Sequence, residues 1–202
     1  MLSWTTAALA LGSAGAGLAV DDVYAGDVAT AAMLRGYDLV MLVVALPVLV
    51  LGLLAARRGS LLGLTLTASL LASTASTYAY YAVGAGFNDV FLVHVATLAS
   101  AGVALLAVLH GIDVDRFHRA GSGHVPTRTV GALLGLLTVS LGGLWIYHGV
   151  ANAVTGEVPV GSSLVETDLV VHLGMALDLA VLVPMYGAAA VLVWRRTGWG
   201  FL

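Results

Sequence analysis

Six long apolar blocks, at about 3–20, 38–56, 60–83, 90–111, 129–150 and 169–194, alternate with short polar gaps along this chain. Each is near the ~20 residues that a helix rising ~1.5 Å per residue needs to cross ~30 Å of hydrocarbon. In lipid the backbone is satisfied only inside helices or closed barrels, and these runs are too long and continuous for barrel strands. The pattern predicts an all-α integral membrane bundle of six transmembrane helices, a single transmembrane domain over residues 1–202.

Charge placement orients that bundle. Arg57 and Arg58, then Arg116, Arg119 and Arg128, then Arg195 and Arg196 fall in alternate gaps, with only Arg35 in the others. The opposite gaps hold Asp21, Asp22, Asp27, Asp38, Asp89, Glu157, Glu166 and Asp168. Excess basic charge in short loops marks the cytoplasmic side, so both termini are expected in the cytoplasm, with three hairpins pointing outward from the inner membrane. Residues 113–128, with Gly121, Ser122, Gly123 and Pro126, read as a turn-rich inner linker. The outer stretches 21–37 and 152–167 each have room for an interfacial turn of helix, the first through Val23, Val28 and Met33. A signal peptide cleaved near Ala16-Gly17-Leu18-Ala19 would leave five helices, but Met1–Thr6 lacks the positive charge such a leader carries.

Composition narrows the function classes. The chain is 60% hydrophobic and 9% charged, with a mean hydropathy of +1.01, whereas a soluble domain carries about a quarter charged residues. The bilayer is therefore the first partner, and a membrane protein partner or a second copy of the chain the next. Cysteine is absent, which excludes disulfides, iron–sulfur clusters and thiolate chemistry. The net charge of -3, with no basic face, argues against nucleic acid. All eight basic residues are arginine, a coding bias typical of a GC-rich prokaryotic genome.

Candidate chemistry gathers at the outer ends of the blocks. His94, His148 and His172 are expected at a similar depth on three helices, where imidazoles can bind a metal ion, ligate a haem or relay protons; singly, each also reads as an interfacial histidine bonded to water or headgroups. His94 and His110 are sixteen residues apart, about 160° around one helix, which weakens a two-haem arrangement. Asp178 lies about ten residues inside the sixth block, where a carboxylate costs roughly 2.5 to 3.5 kcal/mol. It should face the interior, as a proton relay, a ligand-binding group, or a neutral acid bonded to a Ser, Thr or Tyr. His172 precedes it by six residues, about 240° around the helix, so the two need not share a face.

Thr65, Ser69, Ser73, Ser76 and Tyr80 trace one helical face that can line a cavity or bond across a helix interface. Tyr78, Tyr81 and Trp145 read as interfacial belt aromatics. Gly131, Gly135, Thr138 and Gly142 form a small-residue packing face. Pro47 and Pro184 sit inside two of the blocks, where each removes a backbone donor.

A weak internal repeat runs through these features. Tyr80-Tyr81-Ala82-Val83-Gly84, Asp89 and His94 parallel Tyr147-His148-Gly149-Val150-Ala151, Asp168 and His172. Asp38-Leu39, Pro47 and Arg57-Arg58 parallel Asp178-Leu179, Pro184 and Arg195-Arg196. Hairpins of common orientation would be parallel repeats; the alternative is coincidence in Ala/Leu/Val-rich sequence. The stretch Tyr78 to Leu92, with Gly86-Phe87-Asn88 before Phe91-Leu92, and the ending Asp178-Leu179, Pro184, Trp194-Arg195-Arg196, Trp199-Gly200-Phe201 resemble a family of uncharacterised prokaryotic multi-pass integral membrane proteins. The likeness covers the C-terminal two-thirds and implies about six helices and no activity; His94, His148 and His172 depart from its pattern.

The leading expectation is an inner-membrane protein with a polar site in its outer half, built from His94, His148, His172, Asp178 and Tyr80, that binds a small molecule or ion in transport. Its size and topology resemble membrane subunits that capture substrates for energy-coupling transporters, an analogy only. Three alternatives stand beside it: a redox protein holding haem or a metal through the outer histidines, a zinc-dependent membrane hydrolase, and a structural or assembly subunit.

Overall fold

The computed structural model describes every residue except 21–22, 25–27, 85–87, 124 and 157–167, and every side chain except also those of 29 and 168–172. Among the described residues all regular structure is helical: α1 (Leu2–Ala19), α2 (Val28–Val40), α3 (Leu46–Arg57), α4 (Leu61–Gly84), α5 (Phe91–His110), α6 (Val114–Gly121), α7 (Thr127–Thr155), α8 (Asp168–Leu177), α9 (Val183–Trp194) and a terminal 3-10 turn (Gly198–Phe201). Two π turns, Met41–Ala45 and Asp178–Leu182, make α2 and α3 one bent helix and α8 and α9 another. Both bends have one cause. Pro47 withholds the N–H that the Val43 carbonyl would accept and Pro184 the one for Ala180, and the turn ahead of each widens so that Leu46 and Val183 donate five residues back.

Among the described residues four helices are long and apolar enough to cross a membrane: Thr30–Arg57, Phe91–His110, Thr127–Thr155 and Leu173–Trp194. α1 and α4, of 18 and 24 residues, are diluted by Ser, Thr, Gly and aromatic residues. The six expected blocks all appear as helix, with a seventh, α6, where a linker was expected. Asp113 nucleates it by accepting the Arg116 N–H at 3.0 Å, and Phe117 pins it by burial. The second block also begins earlier than its hydropathy does, at Val28, which draws Asp38 into the helix.

The contacts cluster in two compact units. In the first, Met1–Gly111 with Leu164–Val170, α5 packs on α1 and α4, and α4 on α3. α1 buries a face of small residues, Thr6, Ala10, Ser13, Ala14 and Gly17, which lets its neighbours approach closely. α4 turns inward Gly63, Thr67, Leu71, Thr74, Tyr78 and Tyr81, and α5 turns inward His94, Thr97, Ala101 and Ala104. In the second unit α7 packs on α9. Three of the four residues of the expected small-residue face form its seam: a β-carbon at Gly131 would lie 3.2 Å from the Ala190 carbonyl, one at Gly142 3.2 Å from Val183, and one at Gly187 3.4 Å from Thr138, whereas one at Gly135 would meet nothing within 4 Å.

Candidate functional site

The polar stripe of α4 does not line the interior. Ser69 and Ser73 are exposed, and the inward face lies beside them, with the Thr67 and Thr74 hydroxyls donating back to Gly63 and Leu70 carbonyls at 2.8 and 2.7 Å. That inward face carries the site. Tyr78 and Tyr81, expected at the membrane interface, are each only 1% exposed. Their rings have somewhere better to go than the headgroups, because the small residues of α1 leave a polar recess against the last turns of α4.

Asp38, 1% exposed, is the centre of that recess. The Tyr24 hydroxyl donates to its Oδ2 at 2.7 Å. The Tyr81 hydroxyl lies 2.9 Å from its Oδ1 and 2.8 Å from the carbonyl oxygen of Leu34, one turn earlier in the same helix. Tyr78 donates to the Ala10 carbonyl at 3.2 Å, tying α4 to α1 below the cluster. Burial and the neighbouring Asp38 push the Tyr24 phenol far above its usual range, so it serves as a fixed donor. Backbone follows the same demand: Gly17 faces the carboxylate where no side chain fits.

His94 completes the group. It is fully buried, its ring 4.8 Å from Tyr81 and 5.9 Å from Tyr78. Among the described residues neither ring nitrogen has a hydrogen-bond partner. A buried polar group left in that state costs about 1–3 kcal/mol, so its place against two tyrosines and one step from a carboxyl calls for a role.

The other expected residues are described within their own units. Tyr80 is half-buried, its ring edge-on to Tyr37 at 6.5 Å, and it is Tyr81 that reaches the carboxyl. Asp178 and His148 belong to the second unit. There the Trp145 indole, expected in the interfacial belt, donates to Asp178 Oδ2 at 2.8 Å, and the His148 ring lies 6.2 Å from that indole. The side chain of His172 lies outside the described residues. Among the described residues no three His, Asp or Glu side chains gather as a metal ion would need.

Two clefts are apolar by contrast. One of about 460 Å³ is lined by Trp4, Ala7, Leu11, Leu42, Leu46 and Pro47, and one of about 440 Å³ by Gly131, Gly135, Ala190 and Trp194, with Arg195 at its edge. Neither carries paired acid–base groups.

No family model, curated protein or solved structure matches this chain.

Proposed function

We propose that this chain is a six-span inner-membrane protein with cytoplasmic termini, and that the Asp38 cluster, in its outer half, binds a proton in the service of small-molecule or ion transport. α1 and α4 complete the six spans in this reading, because each packs along a helix that qualifies on its own: α1 on α5, α4 on α3 and α5. Arg57, at the end of α3, lies 5.1 Å over the Trp4 ring at the start of α1. The cluster occupies the other ends of these helices, which the arginine rule puts outside.

One observation carries the proton. The Tyr81 hydroxyl has a single hydrogen and two oxygens within bonding distance, Asp38 Oδ1 and the Leu34 carbonyl. The carbonyl can only accept, as can an ionised carboxylate. With a proton on Oδ1, Asp38 donates to Tyr81, Tyr81 donates to Leu34, Tyr24 donates to Oδ2, and every bond has its hydrogen. A neutral acid is also the form that membrane depth favours. His94 offers the next acceptor, its ring tilted against that of Tyr81 with centroids 4.8 Å apart.

Infrared spectroscopy of the protein in bilayers tests this. A protonated-carboxyl band at neutral pH, absent from Asp38→Asn, is expected. A spectrum unchanged by that substitution would reject the site.

A further inference from the structure

The two bent helices follow one plan when each is counted from its proline. A π turn runs from six to two residues ahead of it, Met41–Ala45 before Pro47 and Asp178–Leu182 before Pro184. Twelve residues after it comes a left-handed residue, Gly59 at φ 80° and Arg196 at φ 53°. The same pair of bonds closes each end. Gly59 and Ser60 donate to the carbonyls of Ala56 and Ala55; Arg196 and Thr197 donate to those of Val193 and Leu192.

The match continues past the helix. Ser60 and Thr197 each accept, through the side-chain oxygen, the N–H three residues on, from Gly63 and Gly200, both at 3.2 Å. At each of those glycines a β-carbon would collide with the helix just left, at Ala55 and Ala56 in one case and at Leu192 and Val193 in the other. Residues 41–63 and 178–200 thus carry these features at common offsets, in a single register. Apolarity alone makes any two spanning helices alike in sequence, but it does not put a π turn, a proline, a closed left-handed end, a hydroxyl cap and a crowded glycine at common offsets.

We infer that the two helices are copies of one module, and that Asp178 is the proton-binding carboxyl of the second unit as Asp38 is of the first. This rests on the reading of Asp38 given above. Asp38 lies nine residues before its proline and Asp178 six, so the two acids sit just under one turn apart along the common plan, Asp38 three residues ahead of its π turn and Asp178 at the first position of its own. Each is held by an aromatic donor from outside its helix. An indole N–H can only donate, so Trp145 fixes Oδ2 of Asp178 as an acceptor, as Tyr24 fixes Oδ2 of Asp38. On the elements that pack against this turn the titratable groups are Tyr147 and His148 on α7 and Tyr186 on α9, with His172 six residues earlier in its own helix.

The test is isotope-edited infrared spectroscopy of the full chain in bilayers, with aspartate labelled at its side-chain carboxyl. Two labelled protonated-acid bands are expected. Asp178→Asn removes one and leaves the other, which Asp38→Asn removes. An Asp178→Asn spectrum identical to the wild type overturns the inference. Should that variant not fold, Trp145→Phe keeps the carboxyl and strips its donor: a shift of the second band supports the inference, and an unmoved spectrum overturns it. Failure of the first site has its own signature, a spectrum that Asp38→Asn leaves unchanged.

Discussion

Gly17 abuts the Asp38 carboxylate so closely that a β-carbon there would overlap Oδ2 and lie 2.6 Å from the Tyr24 hydroxyl. Alanine in a helix gains up to ~1 kcal/mol over glycine, whereas overpacking costs ~1–3 kcal/mol. Here both obstructing groups are fixed by hydrogen bonds, so the clash wins. Gly17→Ala is expected to lower the unfolding temperature of the detergent-solubilised protein, by an amount equivalent to about 1–2 kcal/mol. Gly12→Ala, which meets nothing within 4 Å, is expected to be neutral or to raise it. Equal behaviour of the two variants would show that the recess yields freely.

Two substitutions at Asp38 should separate. Asp38→Ala leaves the Tyr24 hydroxyl without an acceptor in a buried site, a loss of about 1–3 kcal/mol, while Tyr81 keeps the Leu34 carbonyl. Asparagine reproduces the neutral acid: its carbonyl accepts from Tyr24 and its NH₂ donates to Tyr81 where the O–H stood. Unfolding midpoints should therefore place Asp38→Asn within about 1 kcal/mol of wild type and Asp38→Ala well below. If asparagine costs as much as alanine, the native carboxyl is ionised.

How far the sequence led is clearest at Asp38. Hydropathy begins its second block there, so the residue reads as an outer-loop acid, but helix geometry extends back to Val28 because the intervening residues, mostly small and interrupted by Arg35 and Gly36, have a packing partner in α1. Tyr78 and Tyr81 were misread for a related reason: aromatics near the end of an apolar block are usually interfacial. The signal that would have placed them was present, since they fall on the face of Gly63, Thr67 and Thr74, the smaller residues beside the serine stripe. The repeat was legible through its prolines, yet matching Arg57-Arg58 to Arg195-Arg196 sets it one residue out of register. The backbone pairs Arg58 with Arg195 and Gly59 with Arg196, a correspondence of conformation that residue identity hides.

Topology has a clean reporter because the chain contains no cysteine. Ser122→Cys, exposed just beyond α6, and Val28→Cys, exposed at the start of α2, should be inert structurally. In intact cells a membrane-impermeant maleimide is expected to label the cysteine at 28 and to reach the one at 122 only after permeabilisation. The reverse pattern would invert the bundle and put the Asp38 cluster on the cytoplasmic side.

The two left-handed ends permit a test of the repeat that needs no knowledge of function. An L-residue in that conformation costs roughly 1–2 kcal/mol relative to glycine, so Gly59→Ala should destabilise by about that amount. Arg196 already bears the cost, offset in part by the bond from its Nε to Thr127 Oγ1 at 3.3 Å and by a positive charge near a helix C-terminus. Arg196→Ala loses the bond and keeps the strain; Arg196→Gly loses the bond and sheds the strain. Glycine should therefore be more stable than alanine by about 1 kcal/mol at both 59 and 196, read from unfolding midpoints of the four proteins. Within a helix the order is reversed, alanine over glycine by up to ~1 kcal/mol. The sign alone decides whether Arg58-Gly59 and Arg195-Arg196 close their helices in the same way.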